Sequence, residues 1–181
     1  MQLVILDRDG VINETADDCI RSPTEWKPVR GSLEAIARLH RAGWRVVVAM
    51  TRPARSGKLI DLDLFIQVNE RMQRRVVESG GVIDAIFFCP HAPEDHCSCR
   101  KPAPGLLLDI ARRLHADLDQ VPVIGDSLDD INAARAAGAR PILVKTGHGF
   151  GTVSHPELDA SVPVYEDLFQ AADALLNIQN T

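Results

Sequence analysis

The sequence has no long hydrophobic run and no excess of basic charge. Its longest apolar stretches, such as residues 46–50, fall far short of the ~20 needed for a membrane-spanning helix. We therefore expect no membrane partner. The 20 Lys and Arg are outnumbered by 25 Asp and Glu, giving a formal net charge of −5. That is the opposite of the basic footprint of a nucleic-acid binder, so no nucleic acid is expected either. A mildly acidic chain can still take an anionic small molecule where cations gather locally. The hydrophobic fraction of 45% excludes general disorder, and 181 residues fit one domain, taken as 1–181. The apolar residues 3–6 are cut off by Asp7, Arg8 and Asp9 too early for a signal peptide. The expected setting is the cytoplasm, and the expected state a monomer. Cysteine is scarce but clustered: of Cys19, Cys89, Cys97 and Cys99, the last three lie within eleven positions. In a reducing compartment such a cluster reads as a metal site rather than as disulfides, whereas Cys19 reads as a loop residue.

What is present alternates strand and helix. Short Val/Ile/Leu-rich runs at 3–6, 45–50, 82–89, 121–124 and 141–145 are too short for helices and read as buried strands. Helical patterns cover 32–42, with Ser32 as the expected cap, then 61–79, about 104–114, 129–137 and 167–177. Strands spaced by helices imply a parallel sheet covered on both faces, an α/β architecture whose ligands bind at the carboxyl ends of the strands. The polar clusters Asp7-Arg8-Asp9-Gly10, Thr51, Cys89-Pro90-His91 and Gly125-Asp126-Ser127 all follow such strands. They should converge on one edge.

Asp7 and Asp9 stand two positions apart at a strand end, and Asp126 and Asp130 add acids to the same edge. Carboxylates held together repel unless a cation or a shared proton relieves them, and an all-oxygen ligand set suits Mg²⁺. Capping of helices and turns is the alternative for any one of these acids. Cys89, His91, Cys97 and Cys99 supply three thiolates and an imidazole, a complete tetrahedral set for Zn²⁺ with no position left open for catalysis. The alternative is three reduced cysteines and a surface histidine. His96 is a weaker candidate ligand, and residues 89–101 form the expected zinc loop.

These motifs together resemble the haloacid dehalogenase superfamily of phosphohydrolases. Asp7-Arg8-Asp9-Gly10-Val11-Ile12-Asn13 is similar to its first motif, Thr51 to its second, Lys101 to its third and Gly125–Asp130 to its fourth. The resemblance implies a Rossmann-like three-layer αβα sandwich, here without room for a cap domain. It implies Asp7 as nucleophile, Asp9 as general acid and base, and Thr51 and Lys101 as phosphate-binding groups. Mg²⁺ would be held by Asp7, Asp126 and the backbone carbonyl of Asp9, while Asp130 would orient Lys101 or a metal-bound water. The zinc loop, with Cys99-Arg100-Lys101-Pro102 and Pro104-Gly105-Leu106-Leu107, is similar to the heptose-bisphosphate phosphatase family. Histidinol-phosphate phosphatases are the nearest alternative, and a catalytically silent ligand-binding relative is the alternative outside enzymes. A phosphorylated sugar is thus the expected substrate, contacted by Arg52, Arg100 and Ser127.

Three departures from the pattern stand out. Arg52-Pro53-Ala54 follows Thr51 where the family has Asn-Gln-Ser, and Ser127 stands where many relatives have Lys. Residues 15–18 replace an Asp-x-x-Tyr stretch. Gly147-His148-Gly149 follows the fifth strand and could lie near the site, although a glycine-rich loop alone is weak evidence. His40, His115 and His155, and the 71–75 stretch, read as ordinary surface.

Overall fold

A computed structural model describes residues 2–15, 20, 22–51 and 61–178. Cys19, residues 16–18 and the 52–60 segment with Arg52 and Pro53 lie outside the described residues. The strands are β1 (Gln2–Leu6), β2 (Trp44–Thr51), β3 (Ala85–Cys89), β4 (Pro122–Gly125), β5 (Arg140–Val144) and β6 (Val164–Tyr165). The helices are α1 (Ser32–Arg41), α2 (Leu62–Glu78), α3 (Gly105–Leu114), α4 (Leu128–Ala136), α5 (Gly149–Val153) and α6 (Leu168–Ile178). All six strands are parallel in the order β3-β2-β1-β4-β5-β6. The order reverses between β1 and β4, and a crevice opens at the carboxyl ends of strands where such a reversal occurs.

The central strands bury both faces, and their two-residue period sorts side chains into two cores. Val4, Leu6, Val46, Val48, Met50 and Ile124 pack against Ile36 and Leu39 of α1, Val68, Met72 and Val76 of α2, and Leu168 and Leu175 of α6. Leu3, Ile5, Val47, Ala49 and Val123 pack against Leu106, Leu107 and Ile110 of α3 and Ala133 and Ala134 of α4. The result is the expected three-layer αβα sandwich. No described helix is long and apolar enough to cross a membrane.

Several boundaries differ from the sequence expectation, each for a physical reason. Ser32 does not cap α1. Gly31, with φ +80°, occupies the N-cap, and Ser32 is the first helical residue. Its buried hydroxyl donates to the Ile12 carbonyl at 2.7 Å, pinning the helix start to the loop after β1. β3 begins at Ala85 rather than at residue 82, because Asp84 accepts the Val46 N–H through Oδ2 at 2.9 Å and removes that donor from the ladder. α2 starts behind an Asp61 cap whose Oδ1 accepts from the Leu64 N–H. β6 and α5 escaped the pattern because two residues show no alternation and a helix opening Gly-Phe-Gly shows no apolar stripe.

Ser32→Ala should lower stability by about 1 kcal/mol, the usual net value of a lost intramolecular hydrogen bond. The Ile12 carbonyl keeps its second donor, the Val29 N–H, so the loss stays small. Urea denaturation checks it: the midpoint should drop at unchanged slope.

Candidate active site

β1 carries the chain into a tight turn at the switch point. The Asp7 N–H still reaches across to the Ile124 carbonyl at 2.9 Å, and the Arg8 carbonyl then accepts the N–H groups of Ile12 and Asn13. Gly10 takes φ +85° within this turn. The Asp7 side chain is thereby set facing the end of β4, from which Asp126 and Asp130 arise. Ligand oxygens of Asp7, Asp126 and Asp130 lie within 4.8 Å of one another.

Lys101 enters this acid cluster from the opposite side. Its Nζ donates to Asp7 Oδ1 and to the Ala49 carbonyl and pairs with Asp130 Oδ1, each at 2.7 Å. All three ammonium protons are thus used, on a residue only 6% exposed. Burial alone would pull the Lys101 ammonium down, but the Asp130 and Asp7 carboxylates push it above its ordinary value. Asp130 is fixed in turn by a capping box at the start of α4. Its Oδ2 accepts from the Ser127 N–H at 3.1 Å and from the Ser127 hydroxyl at 2.5 Å.

Asp126 is gripped through Oδ2, which accepts the His148 N–H at 2.7 Å, with the His148 ring Nδ1 at 3.4 Å. The close approach needs glycine on two sides. A Cβ on Gly10 would come to 2.0 Å from that oxygen, and one on Gly147, at φ +60°, to 2.1 Å. Thr152 Oγ1 donates to the Asp126 carbonyl at 2.9 Å, and Thr146 Oγ1 to the Gly10 carbonyl at 2.6 Å. The 147–149 loop therefore belongs to the site. The periodicity of the sequence held no signal for Thr146 or Thr152.

The acid cluster carries more negative charge than one lysine offsets. Burial, with Asp130, Asp9 and Asp126 adding to it against Lys101, pushes the Asp7 carboxyl up to about 8. Burial likewise raises Asp126 to about 6, against the His148 N–H. Crowded, desolvated carboxylates of this kind fit a hard divalent cation, which would be held by Asp7 and Asp126 while Asp130 stays with Lys101. The Asp9 side chain lies outside this three-acid group. It is held instead by Arg8 and Asn13, and the expected Asp9 ligand is in any case its backbone carbonyl.

The four sulfur and nitrogen atoms of the 89–99 loop also converge. Sγ of Cys89 lies 3.2 Å from Cys99 and 3.5 Å from Cys97, and His91 Nδ1 is 3.2 Å from Cys99 and 3.6 Å from Cys89. These separations are too long for disulfides, and the three cysteines are free. They approach the ~3.8 Å edges of a tetrahedron with Zn–S near 2.3 Å. Burial and the Cys99 thiol push Cys89 up to about 12. For Cys97, burial is outweighed by hydrogen bonds from Cys99, Cys89 and the backbone, leaving it near 7. Such a set suits a thiophilic cation. His96 takes no part in it.

The remaining expected residues are placed as follows. Thr51 ends β2 beside Cys89 of β3, on the same carboxyl edge. Arg100 donates through Nη1 to the His91 carbonyl at 3.2 Å, bracing the 89–99 loop. The Ser127 hydroxyl donates to Asp130 Oδ2, and its oxygen accepts the Asp130 N–H at 3.3 Å. Arg52 lies outside the described residues. Sequence reasoning gave no role to the Arg8–Asp9–Asn13 hydrogen bonds, which join residues distant in character though close in chain.

Because a cation binds only the ionised carboxylates, protons compete with it wherever those carboxyls are raised. Apparent Mg²⁺ affinity should therefore climb several-fold per pH unit between pH 6 and pH 8, the range set by the raised Asp126 and Asp7 values of about 6 and about 8. Titration calorimetry in buffers of different ionisation enthalpy should also detect proton release on binding.

Comparison with known proteins accounts for this geometry. A family model described as HAD-hydrolase-like matches residues 98–170. The D-glycero-β-D-manno-heptose-1,7-bisphosphate 7-phosphatase of Bordetella bronchiseptica is 48% identical over 176 residues, covering 97% of this chain and 98% of that protein. The enzyme of the same name from Pseudomonas aeruginosa is 44% identical, covering 96% and 97%. The crystal structure of the B. bronchiseptica D,D-heptose 1,7-bisphosphate phosphatase, complexed with magnesium and phosphate, superposes with a TM-score of 0.94 at 47% identity, covering 98% and 99%. With the four motifs gathered on one sheet edge and full-length similarity of this degree, the chain belongs to the haloacid dehalogenase superfamily of phosphohydrolases, in the family of the heptose-bisphosphate phosphatases.

Proposed function

We propose that this protein is a Mg²⁺-dependent phosphomonoesterase that removes the 7-phosphate of D-glycero-β-D-manno-heptose 1,7-bisphosphate. The observation that carries this reading is the full-length similarity to the B. bronchiseptica enzyme, which itself binds magnesium and phosphate. The Asp7, Asp126 and Lys101 arrangement supports it.

Asp7 attacks phosphorus through a carboxylate oxygen, forming an aspartyl-phosphate and breaking the bond to the leaving oxygen. Asp9 gives that oxygen a proton and then takes one from the water that hydrolyses the intermediate. Thr51 donates a hydrogen bond to a phosphoryl oxygen, and Lys101, its protons committed to Asp7, Asp130 and the Ala49 carbonyl, supplies positive charge beside the phosphate. When bound, Mg²⁺ neutralises charge between phosphate and nucleophile. Asp7, Asp126 and the Asp9 carbonyl would hold it. Cys89, His91, Cys97 and Cys99 would hold a Zn²⁺ whose contribution would be to order the loop that delivers Arg100 and Lys101 rather than to take part in the chemistry. A substrate with a second phosphate would suit Arg100 and the cationic composition of Arg52, Arg55 and Lys58. The chain works in the cytoplasm as a monomeric unit of residues 1–181, with residues 89–101 as its zinc loop.

The test is a screen against heptose bisphosphate and histidinol phosphate side by side, in which heptose bisphosphate should be turned over faster. Preference for histidinol phosphate would overturn the substrate assignment. Asp7→Asn should abolish turnover of every phosphate ester. Asp9→Asn should lose about 10²–10⁴-fold on a sugar phosphate but less on an aryl phosphate, whose leaving group needs little protonation. Equal losses on the two substrates would count against Asp9 as the acid.

Purified protein should contain one zinc per chain by elemental analysis. Cys97→Ser should reduce zinc content, melting temperature and activity together.

A further inference from the structure

Asp9 is held by an arrangement that the sequence motif does not announce. The Arg8 guanidinium, 7% exposed, donates to both of its carboxylate oxygens, Nε to Oδ1 at 3.1 Å and Nη2 to Oδ2 at 2.8 Å. Asn13, fully buried, donates from Nδ2 to the same Oδ1 at 2.9 Å. That amide leaves its own Oδ1 with no partner, so its donors are spent on Asp9 and on the Glu14 carbonyl while its acceptor goes unused. The other end of the guanidinium meets α2, where Nη1 donates to Asn69 Oδ1 at 3.4 Å. Asn69 is a buried polar residue on an otherwise apolar helix face made by Val68, Met72 and Val76.

A buried guanidinium is costly unless its donors are used in fixed geometry, and a two-pronged contact fixes both the position and the plane of a carboxylate. Asp7, the neighbouring acid, receives no such contact from Arg8. We propose that Arg8 is the positioning residue for Asp9, and that Asn69 on α2 steadies Arg8 in that task. The inference rests on the reading of Asp9 as the proton-transfer group. Among the described residues the Arg8 side chain pairs with Asp9 and Asn69 and not with Lys101, Asp7, Asp126 or Asp130, so its effect is expected to pass through Asp9. The three N–H donors fix the position and plane of the Asp9 carboxyl group, and so the direction along which it exchanges a proton with leaving group and water. α2 thereby helps to set the geometry of proton transfer.

The test is a double-mutant cycle on the zinc-loaded enzyme with saturating Mg²⁺, using a sugar phosphate and an aryl phosphate. Arg8→Met should lower kcat on the sugar phosphate about tenfold or more, part of the ~10²–10⁴-fold that acid–base catalysis supplies. KM should stay within about twofold, and the loss on the aryl phosphate should be smaller. Asn69→Leu, which spares the Arg8–Asp9 contact, should show the same pattern more weakly. The double variant with Asp9→Asn should be no slower than Asp9→Asn alone, because the two residues act as one unit. Additive losses, or equal losses on both substrates, would overturn the positioning role even where Asp9→Asn behaves as an acid–base variant. A lowered melting temperature at unchanged kcat would overturn it as well. Full activity of Asp9→Asn would instead remove the proton-transfer reading, and this inference with it.

Discussion

The Lys101 ammonium is the hinge on which the site turns. Three elements meet at one nitrogen: Asp7 from the end of β1, the Ala49 carbonyl from within β2 and Asp130 from the first turn of α4. Burying a cation is favourable only with this degree of compensation, and removing one partner of a buried pair typically costs about 3–5 kcal/mol. The contact therefore ties the sequence-distant Lys101 to the switch point, and it fixes the Asp7 carboxylate through Oδ1. Asp130 is free for this pairing because Ser127 supplies the other half of its capping box, so a local helix-start rule fixes a residue of the active site.

Lys101 needs support that its own segment cannot build. The stretch from His91 to Arg100 is polar and half-exposed, with no apolar cluster of its own. Its order comes from the converging Cys89, His91, Cys97 and Cys99 at one end. At the other end, the Gly105 N–H reaches back to the Ser98 carbonyl at 2.9 Å and joins the loop to α3. Arg100 adds a tie across the loop through the His91 carbonyl. A cluster of four potential metal ligands thus stands where the loop lacks a hydrophobic core, and the lysine that follows it is buried.

The opposite wall is built on glycine and backbone. Gly10 and Gly147 leave the space that the Asp126 carboxylate fills, and the His148 N–H takes one of its oxygens. Asp126 thereby stands within reach of a cation shared with Asp7, their ligand oxygens lying within 4.8 Å of one another. Two carboxylates raised by burial, a lysine shared between Asp7 and Asp130, and an arginine committed to Asp9 divide the labour of the site by geometry. Each acid has a different set of partners.

The sequence by itself determined the layers and the acids. Short Val- and Ile-rich runs between amphipathic helices dictated a parallel sheet covered on both faces. The parallel topology then placed Asp7, Thr51, Cys89 and Asp126 on one edge, because a parallel sheet has all its carboxyl ends together. The C-x-H and C-x-C pairs were legible because ligand spacing within a short loop is local. Boundaries were less legible, as at Ser32, whose cap position went to Gly31 while its hydroxyl went to Ile12. Only the tertiary structure decided which acid pairs with Lys101, that Ser127 serves Asp130, that the 147–149 loop grips Asp126, and that Arg8 and Asn69 hold Asp9. Those contacts join residues up to 94 positions apart, as Lys101 and Asp7 are. Their partners are selected by burial, which makes every charged group find its complement across the fold, and no periodicity along the chain records that choice.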